Sequence, residues 1–400
     1  MLVLLAKLAG PEIQGQYFLG VALATPIVLF CGLELRGALV ADAGNQFTYG
    51  TYRALRSRTL TVAGLVLTVV LWWQARTEHR PAYLLILAGV FAVRIVWSWA
   101  DIGWGVFQRR ERLDLLAASA MLRGGALLVP FAILLPLWAW RAPGRLADAA
   151  AGGALLGALG AAAAMWWFDR PRVVSPRFGD WSWTKGGVWA LARQTFPLGV
   201  VALIVNLCDS YPRLLIEKLP EGRPQLGYFG ALAYITLAGN LVILQAGAAA
   251  ANRLALYYQR DRQAFLRLGG ALTGLALAIG GGVLLAAWFF GAWVLRVLYT
   301  PEYARFELEF RIIVGAHCLA LLTNVFGIAT TQMRLFWVQV PVQVATLAAT
   351  VIAANMLIIP ASPVRGAAYT ALVRAVVQLV LYTACVGAGL AWRRRRTAAL

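Results

Sequence analysis

Apolar stretches about long enough to cross a bilayer fill most of this 400-residue chain, and several of them carry an arginine. A membrane-spanning helix needs about 20 mostly apolar residues. Stretches of this kind lie near 16–38, 59–74, 81–104, 113–138, 147–168, 195–216, 226–252, 268–298, 310–332, 334–359 and 365–391, after a short apolar start, MLVLLAKLAG. They are rich in Ala, Leu and Val and do not alternate, which excludes a closed barrel built from strands of roughly ten residues. In lipid every backbone polar group must be satisfied internally, so helices are the remaining solution. A composition 61% hydrophobic and 13% charged excludes an ordinary soluble domain. The chain reads as an all-α polytopic membrane protein.

The arginines bear on function. Arg94 lies in PAYLLILAGVFAVRIVWSWADIGW and Arg123 in LDLLAASAMLRGGALLVPFAILLPLW. Arg213 and Arg374 lie in two further spans, and Arg36 near the end of another. A guanidinium at bilayer depth costs about 2.5–3.5 kcal/mol on the insertion scale, so it faces a bundle interior or a watery cavity. Several together predict a cationic interior and an anionic cargo. The spans at 81–104 and 113–138 form a hairpin centred near Gln108, from which Arg94 and Arg123 are almost equidistant, so the two should reach similar depth. Three acids fall in spans: Glu34, Asp101 and Asp209. Asp101 is seven residues after Arg94, on the same helical face. Asp209 and Arg213 are spaced to pair on one helix. Glu34, two residues from Arg36, points away from it and needs a different partner. A membrane carboxylate can bind and release a proton or Na⁺, which makes these three the candidates for coupling to an ion gradient.

The net charge of +19 would suit nucleic acid only if it were gathered on one surface. It is spread over loops instead. With residues 39–58 on the cytoplasmic side, the loops on that side hold about twice as many Lys and Arg as the opposite loops, as the positive-inside rule requires. The tail WRRRR then meets anionic headgroups on the cytoplasmic face.

A short repeat divides the chain. PEIQGQYF at 11–18 and PEGRPQLGYF at 220–229 share Gln14 with Gln225, Tyr17 with Tyr228 and Phe18 with Phe229. The spacing predicts two lobes of equal, parallel topology. A full span precedes the second copy and only about ten residues precede the first, so the first helix reads as truncated. The expected plan is about twelve transmembrane helices, the first cut short, in two six-helix lobes around a central cavity. Residues 1–168 form the N-terminal lobe and 195–391 the C-terminal lobe. Residues 169–194, with Trp181, Trp183 and Trp189, form a cytoplasmic interfacial linker, and 392–400 a basic cytoplasmic tail.

Enzymatic signals are missing: no GxxxxGK[ST], HExxH or GxSxG occurs. Cys31, Cys208, Cys318 and Cys385 all fall in spans without CxxC or histidine clusters, so no metal site and no cofactor is expected. His317 reads as a core histidine or a proton relay. Amides in spans, among them Asn240, Asn324, Gln343 and Gln378, read as bonds between helices or as lining for sugars.

The run WSWADIGWGVFQRRERLDLLAASAMLRG resembles the polysaccharide biosynthesis (oligosaccharide flippase) proteins of the multidrug/oligosaccharidyl-lipid/polysaccharide exporter superfamily. The matching positions are Asp101, Ile102, Gly105, Gln108, Arg109, Arg112, Ser119, Arg123 and Gly124. LAGPEIQGQYFLGVALATPI, GLELRGALVAD, LYTPEYA and LIIPASPVRGAAYTALV extend the likeness over nearly the whole chain, with Thr300 where the family commonly has glycine. The resemblance implies a monomeric flippase of the bacterial inner membrane, multi-pass, with its C-terminus cytoplasmic. It implies an undecaprenyl-diphosphate-linked oligosaccharide as cargo, moved by alternating access with ion coupling. Arg94, Arg123, Arg36, Arg213 and Arg374 would meet the diphosphate, and Asp101, Asp209 and Glu34 would serve the coupling ion. Its further partners would be anionic membrane lipids and a polysaccharide polymerase or glycosyltransferases, with no nucleic acid. Two alternatives stand beside it: a drug or cation antiporter of the same superfamily, and a non-transporting membrane scaffold for polysaccharide assembly.

Overall fold

A computed structural model describes residues 1–42, 46–173, 185–333 and 335–398, and among these every regular element is a helix. A short α1 (Leu2–Leu4) and a π turn (Leu5–Ala9) lead into α2 (Gly10–Gly32), α3 (Leu35–Ala41), α4 (Tyr49–Ala75), α5 (Pro81–Arg109), α6 (Leu113–Arg141) and α7 (Leu146–Ala164). A second π turn (Met165–Asp169) and α8 (Arg170–Val173) precede α9 (Lys185–Glu217). Then follow α10 (Gly222–Ile235), α11 (Leu237–Arg260), α12 (Arg262–Leu298), α13 (Glu307–Gln332), α14 (Phe336–Leu357) and α15 (Pro363–Ala398). Helix starts carry local stop signals for the preceding chain. Thr48 Oγ1 accepts the Thr51 N–H at the head of α4, and Asp261 accepts from the N–H groups of Gln263 and Ala264 at the head of α12. Proline opens α5 and α15, where its missing N–H removes nothing.

Ten helical runs among the described residues are long and apolar enough to cross a membrane, and the chain is an all-α polytopic membrane protein. The count is lower than the sequence suggests for two reasons. The apolar start and the first span form one run, Leu2–Val40. The stretch at 226–252 breaks near Thr236 into α10 and α11, neither of which is among the ten. At 1.5 Å per residue α10 is only about 21 Å long, and α11 carries Asn240, Gln245, Asn252 and Arg253, which interrupt its apolar character.

The chain divides into two compact units, Met1–Leu214 and Leu215–Leu400. That division falls inside α9, so most of α9 belongs with the first unit rather than opening the second. Of the linker expected at 169–194, residues 174–184 lie outside the described residues, 169–173 continue the helical run that starts at Pro143, and 185–194 belong to α9. The side chains of 392–400 also lie outside the description, as does Arg334.

Each unit repeats one packing plan. In the first, α2 packs on α4 and α5, α4 on α5, α5 on α7, and α6 on α7. In the second, α11 packs on α12 and α13, α12 on α13, α13 on α15, and α14 on α15. The two sequence copies stand at the starts of α2 and α10, so the match sets α2 against the consecutive helices α10 and α11, of which α11 takes the place of α2 in the packing plan.

The sequence of α7 explains the first unit's layout. Its Ala and Gly residues let α5 and α6 approach it from two sides, while α5 and α6 touch each other little. Gly153 lies against the Phe131 ring, and Gly157 against Leu127 of α6. On α5, a Cβ at Gly89 would stand 2.6 Å from Ala154 Cβ and 3.0 Å from the Ala154 backbone. Gly89→Ala is therefore expected to destabilise the protein by about 1–3 kcal/mol through overpacking. Gly124→Ala, where a Cβ meets nothing within 4 Å, is expected to leave stability unchanged or raise it, since alanine is the better helix former. Melting midpoints of the two variants in one detergent check the contrast.

Candidate functional site

The helix that begins at Gly10 ends where Leu33 and Glu34 take successive left-handed conformations, with φ of 50° and 48°. For residues with a Cβ this costs about 1–2 kcal/mol each. The turn it makes lays α3 across α5. Gly105 makes room there: a Cβ at Gly105 would stand 3.1 Å from Leu39 Cδ2 and 3.4 Å from Arg36 Cγ. Beneath lies an apolar core that includes Leu35, Leu39, Tyr52, Leu55, Val106 and Phe107.

On this base the first unit assembles a network of arginines and carboxylates. Arg36 Nη1 donates to Asp101 Oδ1 at 3.3 Å, and its Nη2 donates to Gln108 Oε1 at 3.1 Å. Arg56 Nη2 faces Asp101 Oδ2 at 3.5 Å, while its Nη1 donates to Ser98 Oγ at 3.1 Å. Asp101 thus bridges two guanidinium groups, one 30% exposed and one 3% exposed. Glu34 lies within electrostatic reach of Arg36, Arg56 and Asp101.

Trp104 connects this group to the next. The Arg36 guanidinium stands 5.6 Å from its ring centroid and the Arg123 guanidinium 4.3 Å. Its indole N–H donates to Ser119 Oγ at 2.9 Å. Arg123 Nη2 donates to that same Oγ at 2.5 Å and to Asp169 Oδ2 at 2.7 Å. The Arg123 and Asp169 side chains are only 3% and 5% exposed, so their charges are paired out of solvent. Three arginines (Arg36, Arg56, Arg123) thus stand among three carboxylates (Glu34, Asp101, Asp169), and their formal charges cancel.

The run that carries the family resemblance is largely the scaffold of this network: Asp101, Gln108, Ser119 and Arg123 supply its polar contacts and Gly105 its close approach. Two members were missed from sequence. Arg56 falls before the apolar stretch at 59–74 and was counted as a loop charge, yet α4 starts at Tyr49. Its buried face runs Tyr52, Leu55, Arg56, Leu60, Ala63, Leu67, and this helical spacing is the signal that places Arg56 inside. Asp169 closes the apolar run AAAAMWWFD and was assigned to the linker.

The remaining sequence candidates are Arg94, Asp209, Arg213 and Arg374. Arg94 is at the midpoint of α5, half-buried, and makes no hydrogen bond or ion pair with the described residues. Asp101, on its helical face, turns instead to Arg36 and Arg56. Arg123 is not on a helix directly beside Arg94's for most of its length, because α7 packs against both α5 and α6. On α9, Arg213 is half-buried and Asp209 exposed. Arg374 is half-buried on α15 in the second unit. In that unit, Asn324 donates to Asn240 at 2.9 Å and Gln343 to the Tyr382 hydroxyl at 3.0 Å, so these amides join neighbouring helices. Arg365 pairs with the buried Glu309 at 2.9 Å. His317 Nε2 is buried without a hydrogen-bond partner among the described residues. Those residues hold no group of three or more His, Cys, Asp or Glu that suits a metal ion.

No protein-family model matches the chain. Among solved structures, a multidrug resistance transporter of the MATE family of the MOP superfamily, in an inward-facing conformation, superposes with a TM-score of 0.73 at 13% identity, covering 97% of this chain and 93% of that one. The chain has the fold of this transporter. The lipid II flippase MurJ, in an inward closed conformation, superposes on it with a TM-score of 0.70 at 8% identity, over 97% of this chain and 87% of that one. In sequence, the capsular polysaccharide biosynthesis protein CapF of Staphylococcus aureus is 21% identical over 387 residues, which cover 96% of this chain and 93% of that protein.

Proposed function

We propose that this chain is a multi-pass transporter of the bacterial inner membrane that works by alternating access of its two units, with its C-terminus cytoplasmic. The observation that carries the reading is the MOP fold over 97% of the chain. The loop charge bias supports the orientation.

Two cargoes have support. A lipid-linked oligosaccharide diphosphate is favoured by the likeness to CapF along almost the whole chain and by Arg94, a half-buried guanidinium at mid-span with no carboxylate partner among the described residues. A cation or drug exchanged for a proton or Na⁺ is favoured by the fold likeness to a multidrug resistance transporter. It is favoured too by the carboxylates set among the network arginines, of which Asp101 at 32% exposure is accessible for coupling. The solved structures lean toward the second reading and the sequence relative toward the first.

Arg94→Gln in the native cell separates the two. On the first reading, surface polymer falls at least about tenfold and its lipid-linked precursor accumulates, at unchanged protein level. Unchanged polymer in Arg94→Gln, with resistance to cationic dyes lost in Asp101→Asn instead, selects the second. Arg123→Ala is unsuited to this test, because it strips a buried carboxylate of its partner.

A further inference from the structure

A second feature of the first unit stands apart from the cargo question. A cavity of about 310 Å³ opens between the start of α4, the later turns of α5 and the π turn at Met165–Asp169. α4 contributes Tyr49 and Arg53 to its walls, α5 the small residues Ala100 and Gly103, and the π turn with α8 Trp166 and Arg170. Asp169 borders it too but offers an occupant nothing: Oδ2 is bonded to Arg123 at 2.7 Å, and Oδ1 is buried. The charge an occupant meets is that of two guanidinium groups. Arg170 is exposed, lies 3.9 Å over the Trp166 ring, and makes no hydrogen bond or ion pair with the described residues. A ring covers one face of a guanidinium and leaves its edge of N–H donors available. The chain that carries it is pinned. Arg172 stands 3.9 Å over the Phe168 ring and donates to the Phe168 carbonyl at 2.8 Å, while Arg110 donates to the Arg172 carbonyl at 3.0 Å.

We propose that this cavity binds the phosphate of an anionic phospholipid, held between Arg53 and Arg170, with the acyl chains lying along α4 and α7. Two guanidinium groups without an accessible carboxylate select a phosphate, which arginine holds through paired N–H donors. A headgroup with a cation of its own would set that cation beside Arg53 and Arg170 with no acceptor to receive it, so a net negative lipid is preferred to a zwitterion. The place selects a lipid over a soluble phosphate. Tyr49 begins the apolar run Tyr49–Ala75, and Arg170 lies in the last turn of the run Pro143–Val173. The exposed rings of Trp166 and Trp167 mark the level of the membrane interface. Deeper in the membrane both flanking helices turn apolar side chains outward, Val62 and Val66 on α4 and Leu156 and Leu159 on α7.

The test is lipid retention by the purified full-length chain, measured by native mass spectrometry after delipidation. Dioleoyl phosphatidylglycerol, phosphatidylethanolamine and phosphatidylcholine are offered at equal concentration. Phosphatidylglycerol is expected to bind roughly tenfold more tightly than either zwitterion, the value of one charge-assisted hydrogen bond; equal retention of all three overturns the proposal. Arg170→Gln alters an exposed side chain and leaves the fold intact, and should lower phosphatidylglycerol retention about tenfold. The double variant Arg53→Gln, Arg170→Gln should lose the preference altogether, and undiminished retention there contradicts the placement of the phosphate. The charge-matched control Arg58→Gln, Arg112→Gln removes two exposed arginines that stand outside the cavity, and should keep the preference. An equal loss in that control reduces the site to general attraction by a basic surface and overturns the proposal. Displacement of the lipid by millimolar glycerol phosphate would make this a soluble-phosphate site, and stronger retention of undecaprenyl diphosphate than of phosphatidylglycerol would make it an entrance for cargo; either result also overturns it. The readout is binding, so failure of the transport reading leaves it standing, and the reverse.

Discussion

Arg123→Ala should lower the stability of the purified protein by about 3–5 kcal/mol, the largest single-residue effect anticipated here. The reason is the residue left behind. Asp169 is 5% exposed and its Oδ2 rests 2.7 Å from Arg123 Nη2. Removing the guanidinium leaves a buried carboxylate without its hydrogen-bonded counter-charge, and removes a cation from the face of Trp104 at 4.3 Å. The loss should reverse when both partners are replaced. Arg123→Met with Asp169→Leu keeps the volume apolar and should melt close to the parent chain, because a buried pair is worth little against a well-packed hydrophobic substitute. The double-mutant cycle from melting midpoints in detergent gives the coupling directly. Arg112→Ala is the control. It breaks an equally short pair with Asp114, but there both side chains are more than half exposed, and no measurable change is expected.

The second large effect belongs to Asp101. Its two oxygens hold Arg36 and Arg56 from opposite sides. Asp101→Ala should cost about 3 kcal/mol or more, chiefly because Arg56, 3% exposed, is left with Ser98, the more distant charge of Glu34 and a buried Nε that has no hydrogen-bond partner among the described residues. Arg56→Ala should cost less, since Asp101 keeps Arg36 and is itself one-third exposed. Arg36→Ala should cost least, being a partly solvated contact. The order Asp101 above Arg56 above Arg36, read from melting midpoints, checks that the carboxylate is the hub. A larger loss from Arg36→Ala than from Asp101→Ala would place the hub elsewhere.

The helical class was legible because lipid leaves a chain few solutions: apolar runs of bilayer length must be helices. The repeat was legible too, from three matched residues at the starts of α2 and α10, and the shared packing plan of the two units follows it. Lateral pairing was not. The seven-residue step from Arg94 to Asp101 fixes a helical face and says nothing about which neighbour that face meets. Asp101 meets α3 because consecutive left-handed residues at Leu33 and Glu34 bring α3 across, a backbone event that falls on two residues with side chains rather than on the neighbouring Gly32. Arg56 and Asp169 escaped because span limits were drawn at the last apolar residue, whereas the helices run on past it. The small residues of α7 were visible, but not that they would slot α7 between α5 and α6.

The central proposal is that this fold carries cargo across the membrane. Its most direct test is the purified full-length chain in proteoliposomes, offered a fluorescent undecaprenyl-diphosphate oligosaccharide and, separately, a cationic dye. The account predicts movement of one of them above the protein-free rate, and loss of that movement with Asp101→Asn at retained incorporation. No movement of either, from a chain that inserts and melts cooperatively, would contradict it.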